Sequence, residues 1–149
     1  IDGMVILVGN ERYIVPTLSV VQSIRPRERD LSTVVGRGEM LKVQGRLIPL
    51  VRLSDVFDSA RRVDDLTRAI VVVVEEEDQR VGVVVDELLG QQQIVIKSLG
   101  EFMQGITGVA GGAIMPDGRV GIILDVDGLI RLGSEGNPKA AQPAGAATG

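Results

Sequence analysis

The apolar residues of this chain come in short runs of mostly β-branched side chains, and that limits the fold more than any other feature. Met4–Val8, Ala69–Val74 and Val81–Val85 are each the length of a strand. None approaches the roughly 20 apolar residues that a membrane-spanning helix needs. Valine and isoleucine pack well on a pleated surface and lose rotamer freedom in a helix. Tyr13, Phe57 and Phe102 are the only aromatic residues, so the core must be aliphatic. With 44% hydrophobic and 24% charged residues, the chain reads as globular and soluble.

Turn chemistry divides the runs into two series. Met4–Val8 and Arg12–Val15 flank Gly9-Asn10-Glu11 as strand, turn, strand, with Pro16 ending the second strand. Leu18–Ile24 is a further extended or short helical segment, closed by Arg25-Pro26. Glu39–Val43 and Arg46–Leu53 surround a tight turn at Gln44-Gly45, and Pro49 predicts an edge position or a bulge. Ser54 is a plausible cap for a helical turn through Phe57. The second series contains Ala69–Glu75, Val81–Val85, Gln93–Lys97, Gly108–Met115 and Arg119–Val126, with a last helical turn over Asp127–Leu132. Asp117-Gly118 is the strongest hairpin signal, because a type I′ turn needs positive φ at both central residues.

The expected fold is all-β, as two small five-stranded barrels packed side by side, with a single larger sandwich as the alternative. The first barrel would span roughly 1–57 and the second roughly 68–126, across a boundary loop at 58–67. Together they make a domain of 1–132, followed by a flexible tail at 133–149. Val71–Val74 and Val83–Val85 do not alternate with polar residues. They should therefore be covered on both faces, one filling a barrel and the other meeting the neighbouring barrel or a partner. The chain opens on Ile1 with no signal-peptide pattern and reads as a piece of a longer polypeptide.

Chemistry is hard to place on these residues. The 149 residues include no cysteine and no histidine. This removes thiolate nucleophiles, Cys-based zinc sites, the commonest general base at neutral pH and any phospho-accepting imidazole. The absence of cysteine also fits a reducing compartment. Gly36-Arg37-Gly38 and Gly108–Gly112 complete no phosphate-binding motif. Asp125-Val126-Asp127-Gly128 brings its glycine too early for a calcium loop. Glu75–Asp78 reads as a solvated hairpin tip, and Asp86 and Glu87 would point to opposite faces of a strand. The net charge of −4 argues against general nucleic-acid binding. No catalytic, cofactor or metal residue is expected, which leaves recognition of protein. Gln91-Gln92-Gln93 is either a solvated turn or a source of directional hydrogen bonds.

Val84–Gly100, VVDELLGQQQIVIKSLG, resembles the CheW-like regulatory domain of the bacterial chemotaxis histidine kinase CheA. Three further stretches agree: IDGMVILVGNERYIVPTLSVVQSIRP, RGEMLKVQGRLIPLVRLSDVF and GVAGGAIMPDGRVGIILDVDGL. Their order and spacing carry the resemblance nearly to Leu132, and the glutamine segment and the GAIMPDGRV hairpin favour the kinase domain over the free coupling protein CheW. The resemblance implies SH3-like barrels and a cytoplasmic scaffolding role at receptor arrays. Its partners would be CheW, the cytoplasmic tips of chemoreceptors and other domains of the same kinase. It implies no direct insertion in the membrane. The strand resembling Leu18–Ile24 lines a receptor groove in CheW, which makes Val21 and Ile24 candidates. Gln44 stands where CheW often has arginine, a departure at the receptor contact. Met40, Val43, Leu47 and Ile48 are the candidates for barrel-to-barrel contacts on the first barrel, with Ile106 and Val109 on the second. A free coupling adaptor and a small nucleic-acid or ligand-binding barrel are the alternatives.

Overall fold

The computed structural model describes residues 1–57, 65–97 and 105–135. Among the described residues, twelve strands are arranged in two six-stranded sheets. The strands are β1 (Asp2–Val8), β2 (Glu11–Pro16), β3 (Val20–Ile24), β4 (Leu31–Val34), β5 (Gly38–Val43), β6 (Arg46–Arg52), β7 (Ile70–Glu76), β8 (Gln79–Val85), β9 (Glu87–Gln93), β10 (Val95–Lys97), β11 (Val109–Ile114) and β12 (Val120–Leu124). Two helices follow the inner strands: α1 (Leu53–Val56) after β6, and α2 (Val126–Ser134) after β12.

One sheet has the order β3-β7-β8-β6-β5-β4 and the other β10-β11-β12-β2-β1-β9. In each, the first and last strands are consecutive in the chain, so a bent β3–β4 and a bent β9–β10 close the two sheets on themselves. Counted that way, each barrel has the five strands expected. Each is sealed by one parallel pair, β6 with β8 and β12 with β2.

Division along the chain at 58–67 is corrected by this topology. The β1–β2 hairpin belongs to the barrel of β9–β12, whereas the β7–β8 hairpin belongs to the barrel of β3–β6. The chain is a repeated unit of hairpin, bent strand, two strands and helix, in which the two units exchange hairpins. Residues 58–64 lie outside the described part. Leu66–Arg68 form a 3-10 turn capped by Asp65, whose carboxylate accepts from the Thr67 amide at 3.0 Å.

Burial follows the exchange. Val71, Val73, Leu41, Val43, Ile48 and Leu50 fill the first barrel, while Val5, Ile14, Ile94, Ala113, Met115 and Ile123 fill the second. Val72, Val74, Val81, Val83 and Val85 meet Ile6, Val8, Tyr13 and Val15 of the other barrel, together with Leu124 and Leu129, in the largest core. The uninterrupted valine runs are thus covered on both faces, with the neighbouring barrel as the second cover.

Several local expectations change. Gln44 (φ 52°) and Gly45 (φ 79°) form the doubly positive two-residue turn between β5 and β6. At Asp117-Gly118 only Gly118 has positive φ, and Met115 pairs with Arg119 across a three-residue loop. The reason is length: Pro116 adds one residue to the turn, which a type I′ hairpin does not admit. Pro49 lies in a central strand, not at an edge. Alternation from the Val43–Arg46 closing pair turns its missing amide away from β5, and the ladder to β8 begins only at Leu50. Ser54 does not cap α1, which starts after Arg52 without a side-chain cap. Gly133 and Ser134 belong to α2, so the expected tail begins later, and 136–149 lies outside the described residues.

Candidate protein-interaction surface

The eight candidate contact residues separate by burial. Met40, Val43 and Ile48 are buried, Val43 and Ile48 inside the first barrel and Met40 on the opposite face of β5. They are unavailable to a partner, and their assignment as contacts is corrected. The cause is that β5 and β6 lie within a closed barrel with the neighbouring elements outside it, so Met40 and Leu41 are both buried although they are adjacent. Leu47, Val21 and Ile106 are exposed. Ile24 and Val109 are partly buried, and Ile24 packs against the core of the first barrel.

The exposed residues repeat. β3 pairs with β7 through Val20↔Val74 and Gln22↔Val73, so Val21 is an extra residue in a bulge. β9 pairs with β1 through Leu88↔Ile6 and Gly90↔Val5, which makes Leu89 the bulged residue at the matching place of the other barrel. Each is 39% exposed. A bulge re-aims the side chain of its unpaired residue, and here both turn an aliphatic group outward. A second pair lies beside the positive-φ glycines Gly45 and Gly118, where Leu47 is 48% and Val120 62% exposed. Inspection of the sequence missed Leu89 and Val120. Aligning the two units on their turns, Gly9-Asn10 with Glu77-Asp78 and Gly45 with Gly118, would have revealed them.

Gln91, Gln92 and Gln93 form no turn. They lie in β9, opposite Met4, Gly3 and Asp2 of β1, and the Gln93 amide donates to the Asp2 carboxylate. Asp86 has a structural task, since its Oδ2 accepts from the Gly9 amide at 2.7 Å and so fixes the β1–β2 turn from the other unit. Glu77 and Asp78 both take positive φ at the β7–β8 turn, and the Arg46 guanidinium donates to the Asp78 carbonyl at 2.9 Å. Among the described residues, no group of three or more carboxylates is placed to hold a metal ion.

A groove of about 260 Å³ opens beside Leu47, between the starts of β6 and β8 and the last turns of α2. Leu47, Pro49 and Ile130 give it an apolar floor, and Arg37, Arg46, Arg80 and Arg131 stand around it.

The CheW-like domain model matches residues 2–133. The chain belongs to the CheW-like domain family. It is 37% identical over 135 residues to the chemotaxis protein CheA of Klebsiella aerogenes, covering 91% of this chain and 21% of that protein. CheA of Salmonella typhimurium is likewise 37% identical, with 91% and 20% covered. The sensor histidine kinase CheAY of Helicobacter pylori is 34% identical, with 89% and 16% covered. The chain therefore spans about a fifth of the length of these relatives. In fold it is similar to the scaffolding protein TtCheW of Thermoanaerobacter tengcongensis, with a TM-score of 0.67 at 20% identity, over 83% of this chain and 88% of that one. These CheW-like barrels are the frame on which the exposed aliphatic pairs are displayed.

Proposed function

We propose that this CheW-like domain is a non-catalytic coupling and scaffolding module of a chemotaxis histidine kinase. It binds a CheW-type coupling protein and the cytoplasmic tips of chemoreceptors, and through those contacts controls where the kinase domain sits. Val21, Ile24, Leu47, Ile106 and Val109 remain contact candidates, joined by Leu89 and Val120. The observation that carries this reading is the repetition of exposed aliphatic residues at matching places on the two barrels. A chain with two like faces can hold two neighbours at once and so extend an array. Burying a leucine on binding contributes roughly 1.5–3 kcal/mol, a useful share of an interface.

Likeness to CheA proteins at 37% identity, against 20% for the CheW scaffold, supports a kinase domain over a free adaptor. No helix among the described residues is long and apolar enough to cross a membrane. On the proposed reading the module works in the cytoplasm, at receptor arrays on the inner face of the membrane. Control of activity requires that the contacts differ in affinity between two receptor states.

The test is the affinity of the chain for a purified CheW-type coupling protein. Leu47→Glu should weaken binding about tenfold or more while the melting temperature stays within about 2 °C. Undiminished binding by both Leu47→Glu and Val120→Glu would refute the two-face reading.

A further inference from the structure

We infer that the groove beside Leu47 takes an acidic segment of the protein partner, one in which carboxylates flank an aliphatic side chain. This rests on the coupling reading and adds the chemistry that selects the partner at this face. The chain is acidic overall, at −4, yet four arginines converge on one small groove. Arg80 is neutralised, since its Nε lies 2.7 Å from Glu75 Oε1. Arg37, Arg46 and Arg131 make no ion pair with a carboxylate among the described residues. Arg46 is held in place all the same, by its bond to the Asp78 carbonyl. Its planar guanidinium is suited to receive a carboxylate side-on.

The occupant's other requirements follow from the floor and the size. Leu47 is half exposed and sits with Pro49 and Ile130, so an apolar side chain is needed to cover it. About 260 Å³ lies below the usual range of roughly 300–1,000 Å³ for small-molecule pockets, and fits one anchoring side chain better than a cofactor. Arg131 lies in the last turn of α2, where part of its charge offsets the negative end of the helix dipole. The remaining field is modest. It suits a few carboxylates combined with apolar burial, whereas nucleic acid would need a dense basic footprint and, for single strands, aromatic platforms. None of the groove residues is aromatic.

The test uses the full chain and a labelled synthetic peptide of glutamates flanking a central leucine. Controls are the same peptide with lysine for glutamate, a glutamate peptide with serine for leucine, a DNA duplex and vesicles of anionic lipid. The expected result is binding of the acidic leucine peptide alone. It should weaken about tenfold or more in Arg46→Ala/Arg131→Ala, and again in Leu47→Ser. It should also weaken as salt rises from ~0.1 to ~1 M, which shortens the Debye length from about 10 to about 3 Å. No binding at high micromolar peptide, equal binding of the lysine peptide, or DNA or vesicle binding that is indifferent to Leu47 would overturn the inference. The coupling protein separates the two claims. If its binding is weakened in Leu47→Glu but is unchanged by the arginine substitutions and by salt, charge selection fails and coupling stands. If neither these variants nor Val120→Glu weakens it, both fail.

Discussion

Leu47 and Ile48 are neighbours in one strand with opposite fates. Ile48 faces the barrel interior, where Ile48→Ala should cost about 2–5 kcal/mol. Leu47→Ser should leave thermal stability nearly unchanged, and a thermal melt distinguishes the two. Alternation along β6 was legible in the sequence, but its phase was not, because Pro49 and the following Leu50-Val51 obscure which face is inside. Tyr13 offers a pH-dependent test. It is buried and stacks on Phe57 with ring centroids 5.0 Å apart. Burial, and then the nearby Glu11 charge, raise its pKa above the ordinary 10.0. The folded state therefore favours the neutral phenol, and that stability is present below pH 10.0 and lost as pH rises through the folded value. Alkaline denaturation should begin at higher pH in Tyr13→Phe than in the parent, and an unchanged onset would mean another group governs it.

At the scale of elements, the two barrels solve the same packing problem with exchanged parts. Gly82 of β8 lies where a Cβ would come within 2.6 Å of Leu50 Cδ2 and 2.7 Å of Val71 Cγ1, with Ile48 close by. In the other barrel Ile14 occupies the place matching Gly82, and Gly121 the place matching Ile48. A Cβ on Gly121 would meet Ile14 Cδ1 at 2.8 Å. Large faces small in both, with the roles reversed. Gly82→Ala should overpack the first barrel and cost about 1–3 kcal/mol in a denaturant titration, and a neutral result would show that the barrel relaxes. The β7–β8 turn is a place to gain stability. Asp78 holds φ 65°, a conformation that costs a residue with a Cβ roughly 1–2 kcal/mol. Asp78→Gly should stabilise by about 0.5–1 kcal/mol, the gain reduced by the greater flexibility of the unfolded glycine chain.

For the whole molecule, what the sequence left hidden is the hairpin exchange. The valine strands, the turns at Gly9-Asn10 and Gln44-Gly45 and the double covering of Val71–Val74 could be read from local pattern, whereas the polar strands β4 and β9 could not. Pairing of β2 with β12, more than a hundred positions away in the chain, leaves no local trace. The expected split into 1–57 and 68–126 therefore followed chain order. The surface was legible only in part for a related reason: Val21 and Leu89 owe their exposure to bulges, which depend on the register with a distant partner strand. Exchange has a direct consequence for folding. A fragment of residues 1–57 lacks the partners of both its hairpin and its β6 edge, and should be largely unfolded alone by circular dichroism. Mixed with a fragment of 65–149 it should regain β structure, and independent folding of either piece would contradict the exchanged topology.

The two like faces are the centre of this account, and the mass of the complex with a CheW-type coupling protein tests them most directly. Light scattering on the mixture should show assemblies larger than one-to-one for the wild-type chain. Leu47→Glu and Val120→Glu, each blocking one face, should stop at one-to-one, and the double variant should not bind. Assemblies of wild-type size from both single variants, or a wild-type complex that never exceeds one-to-one, would contradict it.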